Sequence, residues 1–191
     1  MAHLIVGVFA TGAEAREAVK ELHNLGVSPD HVELHSIEHT IAEDIASEHA
    51  MPSMPATEFT GSREALKVLN RVEKFFDGIF PEEKKPEEVG HFAEAVRRGN
   101  TVVTVDVEDE SKVDAICRAL WSAGALDLEE QVSYWRAVFG YSGYESGAPV
   151  FTRAEIEAQR KAYVSRRENK DRGEYQPNKV RVFPRYPRAL E

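Results

Sequence analysis

Three residues near the front of the chain could do chemistry together, because they recur at every second position. His31, Glu33 and His35 form the pattern His-x-Glu-x-His. In a β-strand this spacing places the three side chains on one face, with neighbouring Cα atoms about 6.5–7 Å apart. Two imidazoles and a carboxylate so arranged could share zinc or iron. The alternative is the solvent-facing side of an edge strand, in which case we expect no cofactor.

Other reactive or cationic side chains have structural explanations. Arg97 and Arg98 fall at the end of a predicted helix, where cations complement the helix dipole, and the alternative is binding of a phosphate or acidic ligand. Cys117 lies on the apolar stripe of a later helix, which predicts a buried thiol. The loop FATGAE lacks the three-glycine spacing of a dinucleotide-binding loop. Because the spacing also indicates no catalytic triad and no paired carboxylates, we predict that the protein is not an enzyme.

The front of the chain has the pattern strand, helix, strand. His3–Phe9 is apolar on both faces, which is typical of a central strand. Thr11 is placed to cap a helix that Gly26 ends. His31–Ile37 then alternates apolar with polar residues, as an edge strand does.

The second half of the chain repeats this pattern. A helix ended by Gly99 precedes the valine-rich strand Thr101–Val107, and a helix ended by Gly124 precedes a final strand at Leu126–Trp135. Central first and third strands with outer second and fourth strands predict an α+β, ferredoxin-like sandwich with the antiparallel sheet order 4-1-3-2. The third strand and the helix after it should bury one apolar cluster, formed by Val103, Val105, Ile116 and Leu120.

Phrases in both halves resemble the heat-induced general stress protein domain of bacteria. They are Val96-Arg97-Arg98-Gly99, the strand Thr101–Val107 and Gly124-Ala125-Leu126-Asp127, together with the opening VGVFATGAEAREAVKELHNLGV. The resemblance covers about residues 3–37 and 88–132. It implies a non-enzymatic stress-response protein and brings no catalytic residues with it.

The domain boundaries follow from where this pattern stops. Residues 1–135 form the predicted ferredoxin-like domain, with an insertion at residues 38–89. An insertion of that length is too long for a bare loop, so we expect it to be mostly helical, with helices at His39–His49 and Arg63–Phe76.

Residues 136–191 carry a turn-rich segment, a polar helix at Thr152–Arg167 and a basic extended C-terminal arm. Three prolines within residues 174–188 exclude a helix in the arm, because proline removes backbone donors.

Charge and composition limit the partners. The whole chain carries −9, and residues 151–191 carry +5, which leaves −14 for the first 150 residues. An acidic body without aromatic residues on its third strand argues against nucleic acid as a partner. No apolar run approaches the roughly 20 residues that cross a bilayer, and a lone cysteine suits a reducing compartment, so we expect a cytoplasmic protein without membrane insertion.

Surplus apolar and aromatic residues late in the chain predict an oligomer interface, because one pair of layers cannot bury them and interfaces are rich in Trp, Tyr and Arg. The predicted interface residues are Trp135, Phe139, Tyr141, Tyr144, Val180, Val182, Phe183, Tyr186, Arg181 and Arg185. We expect the basic arm to dock on an acidic surface, on another subunit in preference to its own. The predicted function is a homo-oligomeric structural or interaction module, with itself or another protein as partner. The alternative is a metal- or small-ligand-binding module at His31, Glu33 and His35.

Overall fold

The computed structural model describes residues 2–37, 63–81, 85–168, 173–177 and 179–185. Over these ranges the chain forms six α-helices and a four-stranded sheet. In chain order the elements are β1 (His3–Phe9), α1 (Gly12–Asn24), β2 (Val32–His35), α2 (Arg63–Ile79), α3 (Glu88–Arg97), β3 (Thr101–Val107), α4 (Val113–Ser122), α5 (Leu128–Phe139), α6 (Arg153–Glu168) and β4 (Arg181–Pro184).

The sheet has the order β2-β3-β1-β4, and every pair of neighbouring strands is antiparallel. This arrangement confirms the predicted order and is compatible with the α+β class. Ile5, in the middle of the sheet, lies opposite Val105 of β3 on one side and Val182 of β4 on the other. The two central strands are buried along almost their whole length, as their apolar sequences require.

The fourth strand does not come from the predicted segment. Leu126–Trp135 was expected to be a strand, but most of it belongs to the helix α5. The Asp127 side chain caps this helix by accepting hydrogen bonds from the backbone N–H groups of Glu129 and Glu130. The buried residues Leu128, Val132 and Trp135 recur at the spacing of a helix. The strand prediction is therefore wrong, because the capping residue and the helical period prevail over the apolar character of the segment.

One face of the sheet packs against α1 and α4. Val103 and Val105 point to this face, where they share one buried cluster with Ile116 and Leu120 of α4. This confirms the predicted cluster. Thr11 caps α1 as expected, since its side chain accepts a hydrogen bond from the backbone N–H of Glu14.

The opposite face of the sheet is covered as well. Leu4, Val6 and Val8 of β1 point to it and pack in a second cluster with side chains of α2, α3 and α5. Four phenylalanines from three different elements meet in this cluster, Phe76 and Phe80 at α2, Phe92 of α3 and Phe183 of β4. The sheet therefore lies between two helical layers. The second layer buries several of the late aromatic residues within their own chain.

The basic arm supplies β4. Its ion pairs join it to acidic positions of the body: Lys179 with Asp127, Arg181 with Glu129, and Arg185 with Asp106. The expected docking of an extended arm on acidic surface is thus observed. However, the strand pairs with β1 of its own chain, whereas the sequence led us to expect docking on another subunit.

The insertion prediction is confirmed in part. The helix expected at Arg63–Phe76 is α2, which continues to Ile79. Outside the insertion, the helix expected at Thr152–Arg167 is α6. The helix expected at His39–His49 lies outside the described residues. Within the part of the chain that the structure describes, none of the helices combines the length and apolar character needed to cross a membrane.

Candidate functional site

The structure separates the residues of the predicted metal-binding strand. His31 belongs to a 3-10 turn that precedes β2, and it is exposed, as is Glu33. His35 is buried, with a relative exposure of 5%. The expectation of a solvent-facing side is therefore wrong for His35, because α2 covers this part of β2: the centroid of the Phe75 ring lies 4.8 Å from that of the His35 ring.

The environment of His35 favours the neutral imidazole. Burial is the main cause that lowers the pKa of His35 to about 4, and the positive charge of Arg71 acts in the same direction. The imidazole Nε2 lies 3.4 Å from the Thr104 hydroxyl on the neighbouring strand. Among the described residues, no three His, Cys, Asp or Glu side chains are grouped so that they could hold a metal ion. Zinc or iron at His31, Glu33 and His35 stays a prediction.

The residues of the predicted interface divide into buried, paired and exposed groups. The buried group is Trp135, Tyr141, Val180 and Phe183, and the ion-paired group is Arg181 and Arg185. Tyr144 is half-buried and donates a hydrogen bond to Glu73, and Tyr186 lies outside the described residues. Phe139 and Val182 remain 45% and 38% exposed. The surplus apolar surface inferred from the sequence is therefore much smaller in the folded chain.

Behind these aromatic residues lies a buried ionic cluster at the end of α3. Glu94 is only 1% exposed, and it pairs with the two arginines that follow it by three and four positions. The Glu94 carboxylate accepts hydrogen bonds from Arg97 at 2.7 and 2.8 Å and from Arg98 at 2.6 Å. One buried carboxylate thus balances two guanidinium groups.

The Arg98 guanidinium is enclosed by aromatic rings that come from three later segments. Its Cζ lies 4.6 Å from the ring centroid of Phe151, 4.9 Å from Phe139, 5.0 Å from Trp135 and 5.9 Å from Tyr141. Cation–π attraction of this kind is strongest where water is excluded. Arg98 therefore ties α3 to α5 and to the segment that leads to α6. Binding of a phosphate or acidic ligand by Arg97 and Arg98 stays a prediction.

A cleft of about 360 Å³ opens beside this cluster, between α3, α5 and β4. We call it the α3–α5 cleft; its polar lining consists of Glu87, Glu88, His91, Glu129, Ser133, Arg136 and Arg181. The lining includes both carboxylates and guanidinium groups, and Arg181 donates to the Glu129 carboxylate at 3.0 Å. The cleft thus presents both signs of charge to a ligand.

His91 and Tyr141 connect the cleft to the buried ionic cluster. The imidazole Nδ1 of His91 lies 2.9 Å from the Tyr141 hydroxyl. Burial, with the charge of Arg136 second, lowers the pKa of His91, while burial raises the pKa of Tyr141 to about 12. Both groups are therefore neutral at pH 7, and His91, which lines the cleft, can exchange hydrogen bonds with a polar ligand.

Sequence reasoning overlooked this site. The Glu-x-x-His spacing of Glu88 and His91 places the two side chains on one helical face and could have drawn attention to them. Arg136 and Arg181 carry no such indication, since they reach the cleft from elements that the sequence did not predict as neighbours of α3.

Cys117 is placed as expected. It is 1% exposed, and burial raises the pKa of its thiol, which also shares a hydrogen bond with Tyr175. A thiol in this state is a poor nucleophile.

Comparison of the chain with models of protein families, with curated proteins and with solved structures gave no match.

Proposed function

We propose that the protein is a non-enzymatic, homo-oligomeric interaction module of the bacterial stress response, built on a ferredoxin-like frame. Two sets of facts support this frame. The sheet order β2-β3-β1-β4 is that of a ferredoxin-like fold, and α1 and α4, which follow β1 and β3, pack on the same face. The phrases around Val96–Gly99 and Gly124–Asp127, which motivate the family, form the ends of α3 and α4 in this frame. The buried thiol of Cys117 suits a cytoplasmic protein.

The observation that carries the interaction role is an exposed apolar patch at the end of α5, which we call the α5 patch and define as Tyr134, Val138 and Phe139. Val138 and Phe139 are 55% and 45% exposed, and the Phe139 ring meets the Tyr134 ring edge-on at 5.9 Å. The Arg166 guanidinium lies 3.4 Å from the centroid of the Tyr134 ring. Aromatic residues and arginine in one patch are characteristic of protein interfaces.

Charge favours a second copy of this chain as the partner. The Arg166 guanidinium stacks on Tyr134 of the α5 patch, whereas the first 150 residues together carry −14. A positive charge beside an apolar centre fits an acidic surface of another copy. The α5 patch therefore replaces most of the interface predicted from sequence, and Phe139 belongs to both.

The test is the mass of the full-length protein in solution, measured by size-exclusion chromatography with light scattering. We expect an oligomer at micromolar concentration that Val138→Glu converts to monomer, since a carboxylate would be buried at the interface. Leu25→Glu is the matched control, because Leu25 is 42% exposed at the end of α1, on the opposite side of the sheet. A monomeric wild-type protein, or an oligomer that Val138→Glu leaves intact, would contradict the proposal.

The stress-response part of the proposal needs its own measurement. The amount of the protein in its source cells should rise after heat shock, when quantified against proteins of constant abundance. An unchanged amount after heat and salt stress would contradict this part and leave the oligomer result unaffected.

A second candidate function is the binding of a small zwitterionic ligand, which the α3–α5 cleft favours. Its charged lining offers carboxylates to an ammonium group and guanidinium groups to a carboxylate. Thermal-shift assays with glycine, L-lysine and L-glutamate would test this function, with Arg136→Gln as the variant that should abolish any stabilisation. No shift with any of the three would count against it.

A further inference from the structure

A small, partly enclosed cavity lies between α5, α6 and the turn at Arg98–Asn100, away from the α3–α5 cleft. Its volume is about 20 Å³. A single water needs roughly 10–15 Å³ of such space, so the cavity has room for one particle of about the size of water or a halide ion.

Two hydrogen-bond donors at this cavity have no partner among the described residues. They are the amide Nε2 of Gln159 and the guanidinium Nη1 of Arg166, and both atoms are buried. The orientation of the Gln159 amide follows from its other end, since its Oε1 accepts a hydrogen bond from Arg98 at 3.3 Å. The guanidinium of Arg166 is held against the Tyr134 ring. Leaving such donors unsatisfied is costly, so an acceptor belongs between them.

The charge around the cavity distinguishes an anion from a neutral acceptor. The guanidinium groups of Arg98 and Arg166 line it, and the described part of its lining contains no Asp or Glu. Arg160 also lines it and donates hydrogen bonds to the backbone carbonyls of Ala10 and Gly99. Glu94, which balances Arg98, is shared with Arg97. Water would satisfy the two donors and leave the charge unchanged, whereas an anion would accept both hydrogen bonds and offset positive charge where screening is weak.

We propose that this cavity is a binding site for a monovalent inorganic anion of the size of chloride. The ion would bridge Gln159 and Arg166, which are two turns apart on α6, in a cavity that α5 lines on its other side. It would also support the packing at Gly99, where the backbone is so close to α6 that a Cβ would lie 2.7 Å from Ile156. The site shares Tyr134 with the α5 patch, on which Arg166 stacks, whereas it shares no lining residue with the α3–α5 cleft.

Crystals of the full-length protein grown in bromide would locate the ion by anomalous diffraction. The expected result is a peak within hydrogen-bond distance of Gln159 Nε2 and Arg166 Nη1. In parallel, thermal unfolding is followed at constant ionic strength while sodium gluconate is replaced by sodium chloride. We expect chloride to raise the Tm by about 2–4 °C at saturation.

The variant Gln159→Glu separates the anion site from general salt effects. Its carboxylate would stand beside Arg98 and Arg166 in place of the ion, so the chloride dependence should disappear without loss of Tm in gluconate. Gln176→Glu makes the same change of charge at an exposed position and should keep the wild-type dependence.

The absence of a bromide peak, with equal Tm in chloride and gluconate, would overturn the proposal and assign the cavity to water. A peak without chloride-specific stabilisation would also overturn it, as an adventitious ion only. A chloride dependence that survives in Gln159→Glu would place the ion elsewhere and contradict the assignment.

Discussion

The two faces of the sheet are built in different ways. On the face covered by α1 and α4, the buried side chains of the strands and helices are apolar apart from Thr101, and each helix directly follows a strand that it covers. On the other face, α2, α3 and α5 come from the insertion and from the segment after α4, and they bury His35, Glu94 and Arg98 along with the phenylalanines. The first face depends chiefly on hydrophobic packing, whereas the second also depends on buried charged groups that must keep their partners.

The largest loss of stability should follow a substitution in the buried ionic cluster of the second face. Glu94→Gln removes the carboxylate that balances Arg97 and Arg98 while it keeps the shape of the side chain. Because Arg98 is 4% exposed, its charge would stay buried without compensation. We expect the free energy of unfolding to fall by about 3–5 kcal/mol, measured by urea denaturation.

Asp114→Asn is the matched control for Glu94→Gln. Asp114 and Arg118 also form an ion pair four residues apart on a helix, but both side chains are more than 60% exposed. Neutralising this carboxylate should leave stability unchanged within error. Equal effects of the two substitutions would mean that the cluster at Glu94 is not a buried support of the second face.

On the face covered by α1 and α4, a substitution in the apolar core should also destabilise the protein, but through lost packing. Leu120 is fully buried, and its side chain lies beside Gly7 of β1. Leu120→Ala should lower the free energy of unfolding by about 2–5 kcal/mol through the lost burial and the cavity left behind. A loss below about 1 kcal/mol would show that α4 can collapse onto the sheet and is not packed as described.

The contrast between the faces also explains how much could be predicted from the sequence. The sequence predicts one cluster of Val103, Val105, Ile116 and Leu120, because local periodicity identifies both the strand and the next helix. The Glu94 pairs with Arg97 and Arg98 have readable helical spacing as well. The rings of Phe139 and Phe151 around Arg98 could not be predicted, because they reach it from positions 41 and 53 residues along the chain.

β4 and α5 show the same limit in the fold. The order of the sheet was predictable, because the sequence indicates which strands are buried on both faces. The segment that forms the fourth strand was not predictable. Arg181–Pro184 is short, and α5 and α6 separate it from α4. Its place beside β1 depends on long-range ion pairs such as that between Arg185 and Asp106, which no local pattern reveals.

The smallest predicted effect concerns acid and the buried His35. Its pKa is about 4 in the folded protein, below the ordinary value of 6.5 that applies in the unfolded chain. Above pH 6.5 the imidazole is neutral in both states, so it causes no pH dependence. As the pH falls from 6.5 towards 4, the unfolded chain binds a proton that the folded protein rejects, and stability decreases. The loss attributable to His35 should reach about 2–3 kcal/mol near pH 4.

Comparison with His35→Leu isolates this contribution, because His91, whose pKa is also lowered, and the carboxylates titrate in both proteins. Leucine keeps an apolar contact for Phe75 and cannot be protonated. The difference in the free energy of unfolding between the wild type and His35→Leu should therefore shift in favour of the variant between pH 7 and pH 4.5. His31→Leu, at an exposed position two residues before Glu33, should show no such shift. If the two variants respond alike, α2 does not seal β2 from water, and the second face is more open than the structure describes.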